Sequence, residues 1–520
     1  MNKIERAVIS VSDKTNLVDF VRKLTSFNIE ILSTGGTAKI LMDNNISVKK
    51  IEDYTGFQEI FDGRVKTLHP KIFGGILFIR EDEKHKEEAK RNGILPIDLV
   101  VVDLYPFEKV INSKNFSFQD AIENIDIGGV SLIRAAAKNH KYVSILCSPN
   151  DYDDFILHLE KNNGYVSEEY NLSLAVKAFS VCSRYDSIIY SWLLEQENKT
   201  IFPQILPLSL SLVKELRYGE NPHQRAAFYS FSKKRLLSNI EQLQGKELSF
   251  NNMLDLNTVF EMIYAINNNF NSAACVILKH NNPCGVALAE SISEAFKRAK
   301  DADPVSMFGG IIGFNLPVDG NTAKDISEYF FEVIYAPDFS EDAINILSNK
   351  KNLRLVKIPV DPDDFKYNRL DYKTIRGGIL VQETDDLYEK DWKVVTKKQP
   401  SQDTLEELKF ALLVCRFVKS NAIVISKNFQ TIGIGAGQMS RIDSVKIACE
   451  KAKNFGFSLE KSVLSSDAFF PFPDGVEYAA ERGVDAVVQP GGSIKDKEVI
   501  EACDRLGVSM VITGVRHFRH

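Results

Sequence analysis

The feature that most constrains this chain is the exchange of short apolar runs with amphipathic segments across its first 150 residues. Residues 7–11, 29–33, 99–103 and 143–147 are compact runs rich in Val, Ile and Leu, and 48–51 is a shorter one. Between them, 16–27 sets Leu17, Phe20, Val21 and Leu24 on one helical face, and 38–43 reads as a second helix after a glycine pair. Strands that are apolar throughout, alternating with helices, imply a parallel sheet with both faces covered. Ligands of such sheets bind beyond the carboxyl ends of the strands. Ser10-Val11-Ser12, Ser33-Thr34-Gly35-Gly36-Thr37 and Asp103-Leu104-Tyr105-Pro106 fall there.

A chain of 520 residues is too long for one core. The stretch up to about residue 194 reads as helical, with Leu174, Val176, Ala178 and Phe179 in a broad period. Residues 195–210 lose periodicity and carry two prolines, which places the main boundary there and predicts domains 1–199 and 200–520. The second region mixes strands (274–278, 309–314, 422–426, 486–489, 509–513) with helices (292–300, 404–418, 445–454, 476–482, 497–506). Its size predicts two subdomains, joined through the pattern-poor stretch 349–398. Lys and Arg number 64 against 70 Asp and Glu, a net charge of −6, which argues against a general nucleic-acid or anionic-membrane binder. No run approaches the roughly 18 apolar residues of a membrane span. The start, MNKIERAVISVSDK, lacks leader character. Seven cysteines without a C-x-x-C pair read as reduced thiols of a cytoplasmic protein, and the eight histidines include no H-E-x-x-H.

Several clusters carry chemistry. The Ser33–Thr37 turn offers free N–H groups at a helix start, suited to an anion. Ser10 and Ser12, followed by Lys14, either cap the next helix or add to that site. Gly63-Arg64-Val65-Lys66-Thr67-Leu68-His69-Pro70 holds two cations in a loop bounded by glycine and proline, suited to a phosphate or a developing oxyanion. Asp126 precedes a glycine pair and a helix reaching Lys138; it reads as a helix cap, or as the partner of Lys138 in a positioning pair. Lys279-His280-Asn281-Asn282-Pro283-Cys284-Gly285 ends an apolar strand, exposing a base and an ammonium at the sheet edge. Pro283-Cys284 is half of a P-C-x-x-C zinc motif, but Ala287 stands at the second cysteine, so a metal site is incomplete. Gly433-Ile434-Gly435-Ala436-Gly437-Gln438 is not G-x-G-x-x-G. Asp467-Ala468-Phe469-Phe470-Pro471-Phe472 reads as a core cluster or an aromatic wall.

Taken in order, SVSDKT, STGGTAK, GRVKTLHPKI, LYPF, IDIGG, RAAAKN, RYGENPHQ, KHNNPCG, FGGIIGFN, RGG, IGIGAGQ, SSDAFFPF and VRHFRH span essentially the whole chain. The set resembles the bifunctional purine-biosynthesis family that joins phosphoribosylaminoimidazolecarboxamide (AICAR) formyltransferase to inosine monophosphate (IMP) cyclohydrolase. The resemblance implies an α/β protein. A methylglyoxal-synthase-like parallel-sheet domain (about 1–148, with a helical extension) would carry the cyclohydrolase. A transformylase region of two cytidine-deaminase-like subdomains, without zinc, would follow. It implies that Lys66, Tyr105, Asp126 and Lys138 serve ring closure, and that Ser10, Ser12, Lys14, Ser33, Gly36, Thr37, Arg64 and Thr67 hold the nucleotide. Lys279 and His280 would be catalytic in formyl transfer, with Asn421 positioning. Arg217, Tyr218, Gly309, Glu332, Arg441, Phe469, Arg516 and Phe518 would line the AICAR site, and Phe308, Ser440, Ile442, Pro471 and Phe472 the folate site. The implied partners are small molecules only: AICAR, formyl-AICAR and 10-formyltetrahydrofolate as cosubstrate. No catalytic metal, nucleic acid or membrane is expected; a homodimer is, and a monovalent cation near Asp467 and His520 stays open. Two departures from the family pattern stand out: Phe73 and Phe78 in KIFGGILFIR, and Asp103 where an Asn is usual.

Overall fold

A computed structural model describes residues 1–197, 200–231, 236–358, 370–386 and 392–520. The chain divides into two compact units, Met1–Ser209 and Leu210–His520. Residues 198–199 of the expected boundary, and 359–369 and 387–391 of the expected joint, lie outside the described residues.

The first unit is built on a five-stranded, all-parallel sheet. Its spatial order is Lys49–Lys50, Glu30–Ser33, Arg6–Ser10, Leu99–Val102, Ser144–Leu146. Ala7, Val8 and Ile9 and all four residues of Leu99–Val102 are buried, because helices cover both faces. The order reverses between Arg6–Ser10 and Leu99–Val102, so a crevice opens between their carboxyl ends. Two expectations shift slightly. The helix after the glycine pair starts earlier, at Gly35, and the weak third strand shrinks to Lys49–Lys50 because Ile51–Thr55 turns helical.

The second unit holds one twelve-stranded mixed sheet made of two halves in the same order. Each half begins with a hairpin, Ala273–Lys279 with Asn282–Ala289 in one and Ile423–Lys427 with Gln430–Gly435 in the other. A third strand runs antiparallel to the first arm, Ile311–Phe314 or Ser462–Ser466. Two parallel strands follow, Val333–Tyr335 and Arg354–Lys357, or Val484–Gln489 and Ser509–Ile512. An antiparallel outer strand closes each half, Glu241–Gln244 or Lys393–Val394. Helices match one for one: Phe250–Asn269 and Gln402–Cys415 precede the hairpins, and Ile292–Ala302 and Arg441–Asn454 follow them. The halves join where Ala287 pairs with Gln430.

The hairpins place two of the sequence motifs in the fold. His280 and Asn281 have φ of 52° and 60°, and Asn428 and Phe429 have 54° and 56°. Two successive residues at positive φ form the tight turn that suits the twist of a hairpin. The IGIG stretch is strand, not a phosphate loop. A side chain on Gly433 would collide with the Ala448 carbonyl, and one on Gly285 with the Ala299 carbonyl. These glycines let a helix lie directly on its strand.

Candidate active sites

In the first unit the sequence-predicted residues gather at the crevice. Ser10 ends its strand, and Ser12 and Lys14 follow it. Neither serine caps the next helix, whose N-cap is Asn16. Lys14 donates to the Val11 carbonyl and, at 2.9 Å, to Thr37 Oγ1. Gly36 is exposed with open space above it, in the first turn of a helix that has no side-chain cap, so its N–H groups are available to an anion. Ser33 departs from expectation. Its hydroxyl is fully buried and donates to the Ile9 carbonyl at 2.7 Å, so it ties two strands together rather than facing a ligand. Thr37 is likewise engaged, by Val11 and Lys14.

Lys66 leaves a tight turn closed by the Ile60–Val65 bridge, with Gly63 at φ 87°. Its ammonium donates to Tyr105 Oη at 3.2 Å. Asp126 accepts from Gly129 N at 2.6 Å and Tyr105 N at 3.4 Å. Burial pushes its carboxyl above the ordinary range, against the pull of those amides and of Lys66. Asp126 therefore both caps the helix and joins the Lys66–Tyr105 cluster. Its expected pairing with Lys138 is not made: Lys138 closes the last turn of Gly128–Lys138, roughly 15 Å along the axis from its start. Arg64 is ion-paired with Glu123 and largely exposed. Thr67 is buried beside Gly128. Phe73 packs on the core, and Arg80 lies 4.6 Å over the Phe78 ring. Asp103, the unexpected carboxylate, turns to the backbone and accepts from the amides of Ser12 and, at 2.7 Å, Asp13. Tyr185, missed in the sequence, accepts from Asp126 N and donates to the Asn124 carbonyl, both at 2.9 Å, and so fixes that loop.

In the second unit Lys279 and His280 sit at the turn of the first hairpin, the imidazole side exposed. Their strand lies in the middle of the sheet, and they project from its end. Lys279 Nζ donates to the Phe308 carbonyl at 2.7 Å, leaving two of its three donors free for another acceptor. Phe308 is 63% exposed, its ring centroid 5.1 Å from that of Phe330. Gly309, at φ 72°, donates to the Phe330 carbonyl. Glu332 accepts from Asn252 at 2.7 Å and faces Arg354 at 3.8 Å. Arg217 and Tyr218 lie close enough to act electrostatically on Arg354, the cation 5.5 Å over the Tyr218 ring.

The second half supplies a facing cluster. Arg441 is buried and bonds Asn421 Oδ1 (2.8 Å), Ser466 Oγ (2.6 Å) and Asp467 Oδ1 (2.5 Å). Asp467 Oδ2 accepts from Ser420, so both carboxylate oxygens have protein partners. A cavity of about 280 Å³ is lined by Asn421, Gln438, Met439, Phe518 and His520. The cation of Arg516 lies 4.3 Å over the Phe518 ring. The aromatic run splits: Phe470 is core, while Phe469 and Phe472 are exposed, with Pro471 between them. Lys495 stands over Phe472, Ile442 is half-buried, and the Ser440 hydroxyl caps helix Arg441–Asn454. The two clusters meet where Asn282 Oδ1 accepts from Lys419 N at 3.0 Å. Burial pushes the Cys284 thiol up to about 12. Among the described residues no group of three or more His, Cys, Asp or Glu is arranged to hold a metal.

Two family models match the chain in succession. Residues 16–131 match the model of an MGS-like domain, and residues 136–451 that of the AICARFT/IMPCHase bienzyme. A "Bifunctional purine biosynthesis protein PurH" from Thermoanaerobacter sp. (strain X514) is 49% identical over 99% of this chain and 100% of the relative. One of the same description from Caldicellulosiruptor saccharolyticus is 47% identical over the same shares. Among solved structures, "Crystal structure of ForH" matches 36% of this chain and 99% of its own at 34% identity, with a TM-score of 0.34. The chain belongs to the AICARFT/IMPCHase bienzyme family, the bifunctional enzymes of purine biosynthesis.

Proposed function

We propose that the two activities of this enzyme, IMP cyclohydrolase and AICAR formyltransferase, reside in the first and second units respectively, and that the second uses Lys279 and His280. The observation that carries this reading is the left-handed turn that presents both basic side chains together at a strand end. The AICAR amine is a weak nucleophile because its lone pair is delocalised into the imidazole. As it attacks the formyl carbon of 10-formyltetrahydrofolate, His280 takes its proton. Lys279 stabilises the tetrahedral oxyanion, a contact typically worth about 3–4 kcal/mol. Asn421, held by Arg441, positions the carboxamide end of the substrate. Phe308 and Phe472 offer exposed faces to the folate ring.

Ring closure is intramolecular, so orientation removes much of its barrier. Lys66 and Tyr105 then act on the formyl oxygen and the departing water, with Asp126 holding the Tyr105 amide in place. The phosphate lies over the free amides of Gly35–Asp43, beside Lys14. The two halves of the second unit are the cytidine-deaminase-like subdomains, with Cys284 remaining as a structural thiol. All seven cysteines are free, which suits the cytoplasm; we assign the working form as a homodimer.

His280→Ala tests the assignment. Formyl transfer should fall by at least about a hundredfold, while closure of supplied formyl-AICAR stays intact. Lys66→Ala should do the reverse. Loss of both reactions in either variant would contradict separate sites.

A further inference from the structure

We propose that Asp255 is a positioning residue for formyl transfer, whose carboxylate locks the His280–Asn281 turn and so aims the imidazole. This rests on the reading of Lys279 and His280 as the reacting pair. Neither turn residue is glycine, yet both sit in the left-handed region. Such a backbone is disfavoured for residues with a side chain and persists when its surroundings hold it.

Asp255 lies on Phe250–Asn269, the helix that precedes the hairpin. Its Oδ1 accepts from Asn281 N at 2.7 Å. Burial raises its pKa, and the amides of Asn281 and His280 pull against that. One helical turn on, Thr258 donates to Asn281 Oδ1 at 2.6 Å and accepts from Arg519 at 3.0 Å. The turn is thus gripped on its backbone by one side chain and on its Asn281 amide by another.

The other half of the sheet supplies an internal comparison. Glu407, on the matching helix Gln402–Cys415, accepts from Phe429 N at 2.7 Å and from Ser426 Oγ at 2.6 Å. It holds the Asn428–Phe429 turn as Asp255 holds His280–Asn281. Lys427 takes the place of Lys279, but Asn428 stands where His280 does. The same grip therefore occurs with a reacting imidazole in one copy and without one in the other. This separates its structural part from its catalytic part.

The test uses the full-length enzyme with both reactions assayed on each variant. Asp255→Asn removes the charge and leaves a single acceptor oxygen, so the His280 and Asn281 amides no longer both face a carboxylate. Transfer kcat should fall about ten- to a hundredfold, as a small misplacement of a reacting group does. The KM for AICAR should stay within about twofold, and ring closure should be unchanged. Asp255→Glu should recover most of kcat, since a glutamate makes the same grip in the other half. Glu407→Gln should lower thermal stability while leaving transfer kcat within about twofold. If Asp255→Asn does not fold, Asp255→Ser replaces it with the same expectations. Full transfer by the Asp255 variant beside a dead His280→Ala would overturn the proposal. So would equal losses of kcat in the Asp255 and Glu407 variants that track their melting temperatures. Full transfer by His280→Ala would instead overturn the assignment of the reacting pair.

Discussion

Asp103 is a carboxylate beside the proposed phosphate position, where like charges would repel. The structure resolves the conflict by turning it toward two backbone amides. Burial nevertheless raises its pKa above the ordinary carboxylate value. A raised folded-state pKa means that folding favours the protonated form. The stability from this group is full below the unfolded value, about 3.9, and is lost as pH rises through the folded value. Asp103→Asn should therefore gain stability relative to the parent as pH climbs above about 4. Urea melts at several pH values check this, and a difference that stays flat or shrinks with rising pH would contradict it. At this scale the sequence was informative about residue type and place but silent about direction. It put Lys14, Lys66, Tyr105 and Asp126 at one end of the sheet. It could not show that the Ser33 hydroxyl points inward or that Arg64 is taken by Glu123, because a strand residue's facing and a surface ion pair depend on partners distant in the chain.

Among the elements, four of the five parallel strands of the first unit were legible because each is a largely buried, mostly apolar run, the exception being the exposed pair Lys49–Lys50. The 20-residue helix Phe250–Asn269 was not, since its buried residues span more than one face and blur the period. The second arms of both hairpins were missed for a related reason: NPCGVALA and QTIGIG place glycine where a strand is least expected. Close approach of a helix is what those glycines permit. Gly285→Ala and Gly433→Ala should each destabilise the second unit by about 1–3 kcal/mol, the usual cost of overpacking. Denaturant unfolding measures it. A change below a few tenths would show that the helix can withdraw without penalty.

On the scale of the whole molecule, the two units have separate hydrophobic cores, two clusters built from residues up to Trp192 and the others entirely from residues after Leu216. Each has enough buried apolar surface to unfold as its own cooperative block. Scanning calorimetry should resolve two transitions, with Gly433→Ala lowering one of them. A single transition displaced as a whole would show that the units unfold together. Prolines and lost periodicity put a boundary at 195–210, and size put two subdomains after it; what could not be read was that the two halves repeat one order of elements, because they have few residues in common. That doubling leaves a groove of about 1,130 Å³ at the other turn, bordered by Phe270, Leu288, Asn315 and Phe429. For protein engineering this is a spare mounting: the chain already builds a second hairpin tip on the same supports, and new side chains installed around Asn428 would leave the original reaction centre untouched.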